Sequence, residues 1–174
     1  YVVIGVDHPY QVAAVDLGDG VVAVYEADPP GQGPGSTIRR KIAANPLLAG
    51  VDASKVRPRI LTLTQSTYDG VLYNTETIKG KLDGYIDNLH FDEAWLPHAA
   101  FHDFYGDYHA IGADRPRCKE SMIFSTQSTH KLLAGLSQAS QILVQDAENN
   151  KLDRDVFNEA YLMHVSTSPQ YAII

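Results

Sequence analysis

The sequence predicts an α/β fold, a mainly parallel sheet flanked by helices. Three observations predict it. Short β-branched runs alternate with stretches of helical periodicity from Thr37 onward. Three of the runs end in hydroxyl or carboxylate residues, Ser66, Asp92 and Ser128, as strands do when their carboxyl ends face a ligand. The chain has 174 residues, 44% of them hydrophobic, which is enough to build one real core.

The elements follow in order. Val2-Val3-Ile4-Gly5-Val6, Val12-Ala13-Ala14-Val15 and Val21-Val22-Ala23-Val24-Tyr25 are short β-like runs, and Gly18-Asp19-Gly20 between the last two reads as a hairpin turn. They predict a small antiparallel element. Pro29-Pro30-Gly31-Gln32-Gly33-Pro34-Gly35 reads as a flexible linker, so residues 1–36 are set apart as a β-like segment with a Gly/Pro-rich linker, and 37–174 as the main domain. That domain is expected to run helix (37 to about 49), strand (60–64), helix (75–82), strand (86–91), strand (121–125), helix (from about 130), strand (141–145) and helix (153–164). In the last helix Val156, Phe157, Ala160, Tyr161 and His164 recur at three-to-four spacing, and Asp153 can cap its start.

Composition narrows the function. Fourteen Lys and Arg against twenty-one Asp and Glu give a formal charge of −7, which repels phosphate backbones and anionic membranes, so nucleic acid is not an expected partner. No apolar stretch approaches the ~20 residues that a membrane-spanning helix needs. A single cysteine, Cys118, excludes an intrachain disulfide and fits a reducing, cytoplasmic compartment.

The chemistry concentrates in two places. The tetrad Ser128-Thr129-His130-Lys131 lies between the apolar run Met122-Ile123-Phe124 and the helix-like Leu132-Leu133-Ala134-Gly135-Leu136. A lysine at a strand-to-helix junction sits where hydroxyl and backbone N–H groups can hold a phosphate and where a carbonyl cofactor can reach its amine, a combination that suits pyridoxal phosphate. The plainer reading of Lys131 is a solvated residue at a helix start. Upstream, Ile86-Asp87-Asn88-Leu89-His90-Phe91 runs into Asp92-Glu93-Ala94-Trp95-Leu96-Pro97. A buried Asp facing the cofactor's ring nitrogen would keep that nitrogen protonated, and Asp92 is the candidate, with Ala94 and Trp95 as pocket wall. The plainer reading of Asp92 is a turn or N-cap residue, and of Trp95, Tyr105 and Tyr108 a place in the core. Glu93, next to Asp92 on a strand, should point to the opposite face.

Four blocks in order carry a family resemblance: Gln65-Ser66-Thr67-Tyr68-Asp69-Gly70-Val71-Leu72-Tyr73-Asn74, His90-Phe91-Asp92-Glu93-Ala94-Trp95-Leu96-Pro97, Thr126-Gln127-Ser128-Thr129-His130-Lys131-Leu132-Leu133-Ala134, and Phe157-Asn158-Glu159-Ala160-Tyr161 with Thr167-Ser168-Pro169. From about Thr37 to Ile174 the chain resembles the large domain of the bacterial pyridoxal-phosphate-dependent ornithine/lysine/arginine decarboxylases, which have the aspartate-aminotransferase-like fold (fold type I). The resemblance implies that Lys131 binds the cofactor's aldehyde, that Asp92 partners the ring nitrogen, and that Ser128 and His130 contact the phosphate or its surroundings. It also implies that Ser66 and Thr67 lie near the ring's phenolic oxygen. A hydroxyl among Ser166, Thr167 and Ser168 is expected to reach a neighbour's phosphate across a homodimer interface. The implied reaction is α-decarboxylation of lysine, arginine or ornithine to the amine and CO2, a step of polyamine biosynthesis, with Lys131 or His130 returning a proton to Cα.

The match has limits. Residues 1–36 contain no counterpart of the family's phosphate-binding turn or of the His that stacks on the ring, and the chain starts at Tyr1 and stops at Ile174, so a partial enzyme is expected. A non-catalytic remnant of the family is one alternative. A metal-binding module built on His98, His102, Asp103, Asp107 and His109 is another, because His98 and His102 are four apart and would share a helix face. His164 is expected to be an interior or interface residue.

Overall fold

The computed structural model describes residues 13–16, 22–25, 35–67, 70–135 and 139–164. Six strands form one sheet in the order β2-β1-β3-β4-β5-β6. Strands β1 (Ala13–Asp16) and β2 (Val22–Tyr25) pair antiparallel, as the two N-terminal β runs predicted, while Gly18-Asp19-Gly20 and Val2 to Val6 lie outside the described residues. The hairpin is not isolated: β1 also pairs antiparallel with β3 (Ile60–Thr64), with Ala14 opposite Thr62. At the centre β3, β4 (Asn88–Asp92) and β5 (Met122–Gln127) run parallel, and β6 (Gln141–Gln145) returns antiparallel along β5.

Parallel strands need crossovers: a helix joins β3 to β4, while the chain from β4 to β5 holds only the 3-10 turns Pro97–Phe101 and Asp103–Tyr105. Helix α1 (Ser36–Ala44) starts at Gly35, whose φ of 71° and whose packing against Tyr85 leave no room for a side chain: a Cβ there would lie 2.7 Å from the Tyr85 ring. It stops at Ala44 rather than near residue 49, because Pro46 two residues on forces Asn45 to be extended and opens the 3-10 turn Pro46–Leu48. Helix α2 (Thr75–Leu82) is capped by the Asn74 side chain, which accepts the Thr77 N–H at 2.7 Å. Helix α4 (Arg154–His164) is capped by Asp153, which accepts the Val156 N–H at 3.1 Å.

The sheet has two unlike faces. Alternation puts Leu61, Leu63, Leu89, Phe91 and Ile123 on one side, all buried, where Ile38 and Ile42 of α1 and Leu82 of α2 close the core over them. The other side carries Thr62, His90, Asp92, Phe124 and Thr126, all half-buried. Helix α4 lies on this second side, where the ring of Phe157 packs 6.4 Å from that of Phe124. The helix is otherwise exposed, with Val156, Leu162 and Met163 facing outward.

The N-terminal end of β5 is held by one carboxylate. Asp83, at the end of α2, accepts the N–H groups of Lys119 (2.7 Å), Glu120 (3.0 Å) and Ser121 (3.0 Å). Burial opposes ionisation of Asp83, but these donors outweigh it and hold the carboxyl below the ordinary range. Cys118 beside it is buried and free, and burial together with the Asp83 charge pushes its thiol up to about 11.

Candidate active site

Because β3, β4 and β5 are parallel, their carboxyl ends lie side by side. Thr64, Asp92 and Thr126 are register partners, and the ladder continues past them through Gln65 N–H to Asp92 C=O and Glu93 N–H to Thr126 C=O, both 2.9 Å. Ser66 therefore follows one strand end, Asp92 closes the next and Ser128 follows the third. The grouping of these three at strand ends holds.

Asp92 lies on the half-open face two residues after His90. Its Oδ1 accepts the Ala94 N–H at 3.0 Å, which is the turn role read from sequence, and Oδ2 takes no hydrogen bond among the described residues. His90 sits beneath it between two hydroxyls, with Nδ1 3.2 Å from Thr62 Oγ1 and Nε2 3.0 Å from Thr126 Oγ1. Burial holds the His90 imidazole below its ordinary pKa, although the Asp92 charge pulls the other way.

After β5 the backbone makes the short helix α3 (Thr129–Leu132), with Ser128 at its N-cap position and the Ser128 side chain uncommitted to capping. The apolar run beginning at Leu132 predicted a longer helix. Instead Leu133 is extended and the chain turns back, with Gly135 pressed against Thr129, where a Cβ would lie 3.0 Å from the Thr129 carbonyl. His130 pins the return: its backbone N–H (3.2 Å) and its Nδ1 (2.6 Å) both bond the Ala139 carbonyl. A carbonyl only accepts, so Nδ1 carries a proton, and in the neutral ring Nε2 is the acceptor. Lys131 is exposed, and its Nζ lies over the Trp95 ring, 5.6 Å from the centroid. Trp95 is itself 40% exposed, so it is not the core residue that sequence favoured.

A cavity of about 320 Å³ opens between the ends of β5 and β6 and the last turn of α4, lined by Ala94, Thr126, Ser128, Gln141, Tyr161 and His164 among others. Ala94 and Ser128 thus share one wall. Asp92 reaches it through its bond to Ala94, whereas Lys131 lies beside Trp95 and is not among the lining residues. His164 is exposed at the cavity and not interior. Ser66 is buried, and Thr67 spends its hydroxyl on a turn by accepting the Val71 N–H at 3.1 Å. Ser166 and Thr167 lie outside the described residues.

Thr126, His90 and Tyr161 escaped nomination. Strand parity was the available signal for the first two, since both share the face of Asp92. The histidines of residues 98–109 form no ligand set among the described residues. His98 lies in the 3-10 turn Pro97–Phe101 rather than on an α-helix shared with His102. His102 Nδ1 accepts the Phe104 N–H at 3.1 Å, and His109 Nδ1 bonds the Tyr105 carbonyl at 3.3 Å. Backbone contacts therefore take up two of the nitrogens that a metal would need.

The chain matches the family model "Orn/Lys/Arg decarboxylase, major domain" over residues 33–174. It is 49% identical over 138 residues to a lysine decarboxylase of Pseudomonas aeruginosa, covering 79% of this chain and 18% of that enzyme. It is 41% identical over 137 residues to the biodegradative arginine decarboxylase of Escherichia coli, again covering 79% and 18%. The solved structure of lysine decarboxylase A from Pseudomonas aeruginosa superposes with a TM-score of 0.70 at 41% identity, over 93% of this chain and 21% of that one. The fold is a partial aspartate-aminotransferase-like domain. The chain belongs to the Orn/Lys/Arg decarboxylase family, within its major domain. It spans about a fifth of the length of these relatives.

Proposed function

We propose that this chain carries the cofactor-binding part of a pyridoxal-phosphate-dependent decarboxylase acting on lysine, arginine or ornithine. What supports the reading is the position of Asp92 and Ser128 at adjacent ends of two parallel strands, beside a cavity of about 320 Å³ walled by Ala94 and Ser128, with Lys131 three residues after Ser128. The donor set fits the group: a lysine amine for an aldehyde, a carboxylate oxygen for a ring nitrogen, and a hydroxyl not used as a cap for a phosphate.

Pyridoxal phosphate, when bound, supplies an electron sink for the pair released as the substrate carboxylate departs as CO2. Every other role falls to the chain. Lys131 Nζ binds the aldehyde and later delivers a proton. Its contact with Trp95 is of the exposed cation–π kind, worth ~0.5–1 kcal/mol, weak enough to be exchanged for a covalent bond. Asp92 holds a proton on the ring nitrogen through Oδ2, while its bond to the Ala94 N–H fixes the carboxylate plane. Ser128 donates to the phosphate, and His130, locked by Ala139, offers Nε2 as a second proton-handling atom. Ser66 and Thr67 would lie toward the ring oxygen, and Ala94 and Trp95 would wall the pocket. Ser166 and Thr167 belong to the same reading as the cross-subunit phosphate contacts of a homodimer, in a cytoplasmic enzyme.

The test is spectroscopic and chemical. Purified protein mixed with pyridoxal phosphate should gain the visible band of a lysine-bound cofactor, at about 420 nm, and borohydride should then fix the label on Lys131. Release of CO2 from lysine, arginine or ornithine identifies the substrate. A labelled Lys131 with no CO2 from any of the three would make the chain a non-catalytic member of its family, and no label on Lys131 would end the proposal.

A further inference from the structure

Glu93 is a buried carboxylate that the proposed chemistry does not use. It is 1% exposed and lies on the closed face of the sheet, opposite its neighbour Asp92, as strand alternation requires. A carboxylate in a core is costly unless its oxygens are satisfied. Here Oε1 accepts the Ala110 N–H at 2.6 Å, and Oε2 accepts both Ser125 Oγ–H at 2.6 Å and Gln127 Nε2–H at 2.8 Å. The network continues outward, because Gln127 Oε1 accepts Gln141 Nε2–H of β6 at 2.5 Å. From the far side, buried Lys79 donates to the Ala110 carbonyl at 3.1 Å, so the two charges hold the N–H and the C=O of one residue.

The arrangement has a direction. Glu93 and Ala94 come directly after Asp92, the last residue of β4, while Ser125 and Gln127 lie among the last three residues of β5, and Gln127 immediately precedes Ser128. Backbone pairing already sets the register, with Glu93 N–H on the Thr126 carbonyl. Pairing alone leaves the strand ends free to fray. The carboxylate beneath ties Ser125 and Gln127 to β4 and, through Gln141, ties β6 to both. A core built only for stability would place an apolar residue here, which is often as stable as a buried charge and sometimes more so.

We infer that Glu93 is a positioning residue of the cofactor site: from the closed face it fixes the distance between the Asp92 carboxylate and the Ser128-Thr129-His130-Lys131 segment. This rests on the function proposed above. Glu93 touches neither cofactor nor substrate; it acts through Ser125, Gln127 and the strand end that they hold. Its removal should therefore loosen the spacing of groups that bind one rigid ring from two strands, and such misplacements are felt strongly in binding and rate.

The experiment uses the full chain and titrates pyridoxal phosphate by the visible absorbance of the bound form, together with thermal melting. Glu93→Gln keeps the volume but removes the charge and turns an amide donor toward groups that donate to the carboxylate, two of which, Ala110 N–H and Gln127 Nε2–H, can only donate. It should weaken cofactor affinity by about tenfold or more, the scale seen when an outer partner of a ligating group is removed. The exchange Glu93→Gln with Gln127→Glu restores one charge and one matched donor, and should recover most of the affinity. Asp83→Asn, which breaks the anchor at the opposite end of β5, should lower the melting temperature yet leave affinity unchanged. Where Glu93→Gln gives no folded protein, Gln127→Ala opens only the arm next to Ser128 and should show the same loss of affinity. Unchanged affinity in Glu93→Gln, or an equal loss in Asp83→Asn, overturns the inference and leaves the proposed function standing. Absence of the bound-cofactor band in the unmutated protein overturns both.

Discussion

The two faces of the central sheet use the same strands for opposite purposes. On the closed face Leu61, Leu89, Phe91 and Ile123 are all at or below 1% exposure and are covered by α1 and α2. On the open face the same strands offer Thr62, His90, Asp92 and Thr126, held by hydroxyl-to-imidazole bonds rather than by packing. The difference teaches where a site can be built. A dry face tolerates a charge when both of its oxygens are hydrogen-bonded, as in Glu93, whereas the half-open face can leave Asp92 Oδ2 available for a ligand. Chemistry sits where satisfaction is incomplete, and stiffness is supplied from the side where it is complete.

The sharpest way to break the comparison is to remove function from one face and stability from the other. On the proposed function, Lys131→Ala should abolish borohydride labelling and cut decarboxylase turnover by about a thousandfold or more, while melting stays near that of the parent, because the side chain is exposed and lies over the Trp95 ring. Retained labelling at another lysine would relocate the site. Phe91→Ala, on the closed face, should do the reverse and cost about 3–5 kcal/mol in denaturant unfolding, as large-to-small changes in a packed core do. Phe124→Ala, on the open face under Phe157, should cost clearly less, since its ring is half-buried. Equal costs would show the two faces to be equally packed.

What could be read from sequence follows the same division. Helix α2 was legible to the residue, expected at 75–82 and found at Thr75–Leu82, where the Asn74 side chain caps its start. Strand β4 was expected at 86–91 but starts at Asn88, since Asp83 and Ile86 form a bridge before the ladder begins. Strand β5 runs on to Gln127 because Gln127 has buried partners in Glu93 and Gln141, which local propensity does not encode. The antiparallel direction of β6 was not legible. The run after Ser128 reads as a crossover helix, whereas among the described residues of that connection the helix is Thr129–Leu132 and the chain then turns back. The positions of Asp92 and Ser128 at strand ends were legible from where apolar runs stop. The resting place of Lys131 over Trp95 was not, since it depends on two segments 36 residues apart in sequence meeting at an edge.

Asp83 offers a smaller test, one that leaves both faces intact and loosens only the entry to β5. Its carboxylate accepts three backbone N–H groups and is stabilised in the ionised form. Asp83→Asn should cost ~1–3 kcal/mol near neutral pH, the range for hydrogen bonds to a charged group. The sign of the pH dependence follows from the lowered folded pKa. The stabilisation is complete above the unfolded value of about 3.9 and is lost as pH falls through the folded value below it. Unfolding curves of parent and Asp83→Asn should therefore differ near neutrality and converge in acid. A deficit that persists unchanged at low pH would mean that the side chain acts through packing and not through its charge.

The smallest expected effect lies at His90, and it bears directly on how open the open face is. Burial lowers the imidazole pKa in the folded state, against the pull of Asp92, so the unfolded chain binds a proton at higher pH than the folded one does. Stability from the neutral ring is thus complete above the unfolded value of about 6.5 and declines as pH drops from there through the folded value. His90→Gln removes this titration while retaining an amide that can bond Thr62 and Thr126. Melting measured at about pH 7.5 and about pH 5.5 should show a larger fall for the parent than for the variant. If both fall alike, His90 is already hydrated in the folded protein, and the strip of sheet beneath Asp92 is open to water rather than shielded from it.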